Sequence, residues 1–210
     1  MSWLKVDQIP RWLALCGAIG PVTFVTVFTG VGFTRPGYSA IRQPVSELGV
    51  GQYGWQLNLV LIMLGALLLA FVAGFRRASI AGMGGVGRWS SAILLALPAV
   101  GFAAAGIFPL PNPLHWLVGA TLVFIGSVPA LAVTGFLLRN KPGWRGWGTY
   151  SIATAILTLV LVVAMFAVVT PSSPLTSLQI GGLVERVVFL ELLGWYSAVG
   201  WRLFRTAPTD

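Results

Sequence analysis

Apolar residues run along this chain in six long stretches separated by short polar ones, at approximately 12–33, 55–75, 89–108, 114–138, 148–170 and 179–201. Each has the twenty or so residues that a helix needs to cross about 30 Å of hydrocarbon at about 1.5 Å per residue. The pattern predicts an all-α fold, with six transmembrane helices in three successive hairpins and residues 1–210 as a single domain. Pro21, Pro98 and Pro129 fall inside predicted spans, where each frees a carbonyl and is expected to kink its helix. Gly101 with Ala105 and Gly126 with Ala130 place small residues one turn apart, a spacing that lets neighbouring helices approach closely.

Composition sharpens this picture. The chain is 57% hydrophobic and only 9% charged, against about 25% charged in soluble domains, so no stretch is left for a separate soluble domain. The net charge of +8 sits in short links and offers no soluble basic face to nucleic acid. Lys5, Arg11, Arg76, Arg77, Arg88, Arg139, Lys141, Arg145, Arg202 and Arg205 fall on one side of the spans, and only Arg35 and Arg42 lie in loops on the other. The positive-inside rule then puts both termini in the cytoplasm of a multi-pass cell-membrane protein. The same rule gives the Gly-rich basic links at Arg76–Arg88 and Arg139–Trp147 the character of connectors and anionic-lipid contacts. Arg11-Trp12, Arg88-Trp89 and Arg145 with Trp147 read as snorkelling cations beside interfacial tryptophans. The apolar run after Met1–Arg11 is longer than a signal-peptide core, which makes it a retained first span.

The last span carries the candidate chemistry. Within Gly181–Leu193 stand Glu185, Arg186 and Glu191, and each charge at the centre of a spanning helix costs about 2.5–3.5 kcal/mol on the insertion scale. Such residues need protein partners or a wet cavity. The long loop from Thr34 to Gly54 can supply them. Its segment Arg42-Gln43-Pro44-Val45-Ser46-Glu47-Leu48-Gly49 is expected to form one or two helical turns, with Pro44 as first residue and Gly49 as cap. Asn112-Pro113 makes an N-cap and first residue for the fourth span, which puts His115 in its first turn. At that end of a helix the imidazole is favoured in its neutral form, as a base or ligand.

Topology brings Arg42, Ser46, Glu47, His115, Glu185 and Arg186 to the outer end, with Glu185 roughly 9 Å and Glu191 roughly 18 Å below the start of the sixth span. These six residues form the expected ligand-binding constellation. Glu185 and Arg186 point about 100° apart on their helix and cannot pair with each other, so the expected pairs are Arg186 with Glu47 and Glu185 with Arg42. One His, one Cys and carboxylates at different depths cannot assemble a four-ligand metal site, and no cofactor is expected. A single cysteine, Cys16, also excludes an internal disulfide. Membrane lipids are the expected surroundings. The favoured function is binding or moving an amphiphilic or small polar ligand at the outer leaflet. The alternatives are a lipid-modifying enzyme using His115 with Glu47 or Glu185, and a non-catalytic scaffold in which the charges serve only as locks.

Tyr38, then Arg42 to Gly49, then Gly54-Trp55, with Phe108-Pro109 ahead of His115, resemble a prokaryotic membrane family catalogued as domain of unknown function 998. The resemblance covers nearly the whole chain and implies six spans and a shared Ser-Glu-Leu-Gly loop, with no established activity. Where that family often has an Asp shortly after the Pro, this chain has Leu110-Pro111-Asn112, so no acidic group is expected there.

Overall fold

The computed structural model describes residues 9–206, apart from residues 79 and 81. Lys5 therefore lies outside the described residues. All six apolar stretches are helical: α1 (Ile9–Thr34), α2 (Trp55–Arg77), α3 (Gly85–Ile107), α4 (Gly126–Leu138), α5 (Arg145–Val169) and α6 (Gly181–Thr206). α4 continues directly from a π-helical segment (His115–Ile125), and the two together make the fourth span. Each of the six spans is long and apolar enough to cross a membrane. An even number of spans leaves the two ends of the chain on the same side.

Each helix packs on its neighbours in sequence, and α6 closes against α1, so the spans form a ring. Small residues set the closest approaches. A Cβ on Gly101 would meet the Gly119 carbonyl at 2.8 Å, and one on Gly119 would meet Ala105 at 3.0 Å. The Gly101–Ala105 stripe on α3 therefore receives the π-helical segment, as the spacing suggested. Between α1 and α6, a Cβ on Gly200 would stand 2.6 Å from the Ala14 carbonyl.

The three prolines lie inside α1, α3 and α4. In the turn before Pro98, the Leu95 carbonyl accepts a 2.9 Å hydrogen bond from the fully buried Tyr196 hydroxyl. A side chain of α6 thus bonds the backbone where proline disturbs the ladder of α3. Trp195 donates its indole N–H to Ser151 Oγ at 2.8 Å, tying α6 to α5.

The two ends of the ring differ. At the basic end, Arg76 stacks over Trp89, Arg11 over Phe204, and Arg202 over both Trp144 and Trp147. Lys141 Nζ donates to the Gly82 carbonyl at 2.6 Å, and Arg202 donates to the Gly143 carbonyl at 2.5 Å. The basic links are thus joined to each other and to α6. At the opposite end, the loop between α1 and α2 folds over the ring. It contains a short 3-10 helix (Val45–Gly49) that begins one residue after Pro44, so Pro44 precedes the turn rather than opening it.

Candidate functional site

The loop and α6 meet backbone to backbone. The N–H groups of Gly182 and Leu183, in the unpaired first turn of α6, donate to the carbonyls of Arg42 (3.3 Å) and Ile41 (3.0 Å). The loop therefore caps the helix. Glycine is required at 182, because a Cβ there would press into the carbonyl of Gln43. Four residues on, Arg186 Nη1 donates to the carbonyls of Ala40 (2.7 Å), Gln43 (3.1 Å) and Gly182 (2.9 Å). Its Nη2 donates to the Tyr38 hydroxyl at 2.5 Å. That hydroxyl stands 3.0 Å from both the Gln43 and Pro44 carbonyls, to which it donates in turn.

Neither expected ion pair forms. Among the described residues no hydrogen bond joins Arg186 to Glu47 or Glu185 to Arg42. Glu47 instead accepts from Gln43 Nε2 at 2.9 Å, while Arg35 Nη1 donates to its backbone carbonyl at 2.7 Å. The Arg42 side chain is exposed, and the residue contributes its carbonyl to the cap of α6. The physical reason is that a guanidinium with five donors is satisfied as well by a cluster of loop carbonyls as by one carboxylate. Burial pushes the Tyr38 phenol above its usual pKa, with the adjacent Arg186 opposing the shift. The charges of Glu185 and Glu47 also reach it.

Glu185 faces elsewhere. It is 7% exposed, and its Oε2 accepts a short hydrogen bond from the backbone N–H of Val45. Its Oε1 has no hydrogen-bond partner among the described residues. Asn112 caps the fourth span through Oδ1 to the Leu114 N–H at 2.9 Å, and this holds His115 in the first turn as expected. His115 is 6% exposed. Its Nδ1 stands 3.2 Å from the Ala105 carbonyl and 3.1 Å from that of Phe108. Carbonyls only accept, so Nδ1 carries the proton, and in the neutral ring Nε2 is an acceptor. Nε2 has no hydrogen-bond partner among the described residues.

Glu185, His115 and Ser46 line one narrow cleft beneath the loop, with about 30 Å³ of space, room for about one water molecule. Its walls are apolar. Phe189 lies 5.7 Å from both Phe24 and Phe102, ring centre to ring centre, and stacks on Phe124 at 5.6 Å. All four rings line the cleft, and Trp116, 46% exposed, lines it as well. Ser46 makes no hydrogen bond to His115, so no nucleophile–base pair is assembled. The expected constellation is therefore divided. His115, Ser46 and Glu185 share the cleft, whereas Arg42, Glu47 and Arg186 belong to the loop and its attachment. Among the described residues, no three His, Cys, Asp or Glu side chains converge as metal ligands would.

The sequence profile of the family described as "Protein of unknown function (DUF998)" matches residues 18–202. The chain belongs to the DUF998 family. The match takes in the loop, the cleft and both faces of α6, so the DUF998 profile spans every residue of the site. No curated protein and no solved structure matches the chain.

Three parts of the DUF998 site were missed by sequence reasoning. Tyr38 stood out in the loop without a role, although it is a partner of Arg186. The four phenylalanines come from α1, α3, the π-helical segment and α6, and nothing local in the sequence joins them. The π-helical segment had no signal either. Thr121 Oγ1 donates to the Trp116 carbonyl at 3.0 Å, five residues back, where the widened turn brings donor and acceptor together. Such turns recur at functional sites.

Proposed function

We propose that this DUF998 protein binds the polar head of an amphiphilic molecule in the cleft beneath the loop, at Glu185 and His115, with the apolar chain left toward the lipid. One observation carries the reading: Glu185 and His115, each more than nine-tenths buried, line the same apolar-walled cleft. Polar groups in an apolar wall favour a polar partner, and a head group would supply one. The scaffold alternative fits only the Arg186 face, where the donors are taken up by the loop. The enzyme alternative lacks a nucleophile bonded to His115.

Retention of a ligand by purified protein tests this reading. Native mass spectrometry is expected to find one amphiphile per chain, and to find none in Ala120→Phe. That substitution fills the cleft while leaving its polar atoms in place, since Ala120 is a lining residue. Equal retention by both proteins would remove the reading.

The charge split supports an outer-face position for the site, with both termini and both basic links on the cytoplasmic side. A cysteine at Ser172 is expected to react with an impermeant reagent added to intact cells, and one at Gly84 is not. Labelling at Gly84 would turn the site to the cytoplasm.

A further inference from the structure

A second cavity, of about 570 Å³, opens on the α1–α2 side of the loop and shares no lining residue with the cleft. Small-molecule sites have roughly 300–1,000 Å³. Its walls come from the end of α1, the turn that follows, the 3-10 helix and the approach to α2. Val31 and the fully buried Leu48 are apolar parts of the wall, and Arg35, Gln52, Tyr53 and Gln56 are polar ones.

Arg35 is fixed in place there. Its backbone N–H donates to the Val31 carbonyl at 3.1 Å, and its own carbonyl accepts from the Tyr38 N–H at 3.3 Å. Nη1 donates to the Glu47 carbonyl at 2.7 Å, which pins one end of the half-buried guanidinium. A guanidinium has five N–H donors, and among the described residues the Arg35 side chain makes no other hydrogen bond. The edge formed by Nε and Nη2 is therefore left, two parallel donors spaced for a pair of oxyanion oxygens. Gln52 and Gln56 add amide donors and Tyr53 a hydroxyl, and among the described residues none of these side chains is hydrogen-bonded.

The charge of the lining has one sign. No Asp or Glu is among the lining residues. Glu47, the one carboxylate of the loop, is not among them, and its Oε2 accepts from Gln43 Nε2 at 2.9 Å. An ammonium head placed in this cavity would face a guanidinium with no carboxylate to offset it. A phosphate meets positive charge and N–H donors together. Its three or four oxygens also suit the donors of four side chains better than the two oxygens of a carboxylate do.

We infer that this second cavity binds a phosphate group, carried by a lipid or free in solution, gripped by the Nε and Nη2 edge of Arg35 and by the amides of Gln52 and Gln56. The inference is independent of the cleft, whose lining residues it does not use.

Calorimetric titration of the full chain in dodecyl maltoside, an uncharged detergent, tests this with three probes. They are inorganic phosphate, dihexanoyl phosphatidylglycerol and dihexanoylglycerol, with empty micelles as the blank. At least one of the two phosphates is expected to bind at one per chain, and dihexanoylglycerol is expected to stay at the blank. Arg35→Gln keeps a donor for the Glu47 carbonyl and removes the charge. It is expected to weaken phosphate binding about tenfold or more, a change of about 1.4 kcal/mol or more. Thr34→Trp is the second variant should Arg35→Gln fail to fold. Thr34 is an exposed lining residue at the last position of α1, so the larger side chain fills the cavity, keeps every charge and is expected to cause the same loss. Binding of phosphatidylglycerol alone, lost in the variants, assigns the site to a lipid head; binding of inorganic phosphate alone, lost in the same way, assigns it to a free anion. Binding that persists in a folded variant arises elsewhere, as at the basic end of the ring, and overturns the inference. Binding of neither phosphate above the blank overturns it too, as does dihexanoylglycerol binding as tightly as phosphatidylglycerol.

Discussion

Glu185 and Arg186 are consecutive residues of α6, and the protein treats them in opposite ways. Arg186 meets a surface that the loop has built from its own backbone, and its donors end on three carbonyls and the Tyr38 hydroxyl. Glu185 receives one backbone N–H and lines a cleft walled by phenylalanine. The first arrangement is closed and has nothing to offer a ligand. The second is open. The comparison teaches that a charge in a membrane span is no guide to function by itself. What distinguishes a structural charge from a binding one is whether the protein completes its hydrogen bonds, and here the answer changes within 100° of one helix turn.

The sharpest way to break the comparison is to remove Arg186. Hydrogen bonds to a charged group contribute about 1.5–3 kcal/mol each and are not additive, so Arg186→Ala is expected to cost about 3 kcal/mol or more in thermal unfolding. Arg186→Lys keeps the charge but not the planar fork that reaches several carbonyls at once, and it is expected to recover only part of that loss. A double change with Glu47→Ala is expected to be near additive, since the two side chains do not bond each other. Recovery of stability in that double variant would restore the ion pair and undo the distinction.

Glu185→Gln is the counterpart on the open face. An amide oxygen can still accept from the Val45 N–H, so the expected cost in unfolding is about 1 kcal/mol, the difference between a charged and a neutral acceptor. Its larger effect falls on ligand retention. If Glu185→Gln destabilises the protein as much as Arg186→Ala does, both faces are structural and the cleft has no separate role.

Much of this could be read before the structure. Span length and loop charge are written directly in residue type, so six helices and a shared side for the two termini follow from counting. Asn112-Pro113 fixed the place of His115 because capping is a local interaction. The pairing of the charges was not legible. Arg35, Arg42 and Glu47 were the charged residues of the loop, yet the real partners of Arg186 are mostly backbone carbonyls, which every residue carries and no sequence displays. The wall of the cleft was hidden for a different reason. Phe24, Phe102, Phe124 and Phe189 each look like ordinary apolar residues of a span, and they become a site only when the ring of helices brings their faces together.

Tyr38 gives the smallest effect, and it separates the two faces by pH. Burial raises its phenol pKa above the usual value near 10, with Arg186 partly opposing the shift. The folded protein therefore holds this proton more tightly than the unfolded chain does. In the window between the two values the folded state binds more protons, so stability is present in full below about pH 10 and falls as pH rises through the folded value. Ionised Tyr38 would keep its bond from Arg186 but could no longer donate to the Gln43 or Pro44 carbonyl, so the fall comes from the loop side of the contact. Tyr38→Phe removes the titrating group. It is expected to lower stability near neutral pH by about 1 kcal/mol for the lost hydrogen bonds, and to flatten the alkaline decline measured by thermal unfolding between about pH 9 and pH 11. Ligand retention near neutral pH is expected to be unchanged, because Tyr38 is not a lining residue of the cleft. An unaltered alkaline slope in Tyr38→Phe would show that the phenol does not titrate in contact with Arg186. A loss of ligand retention in that variant would mean that the closed face and the open face of α6 act as one.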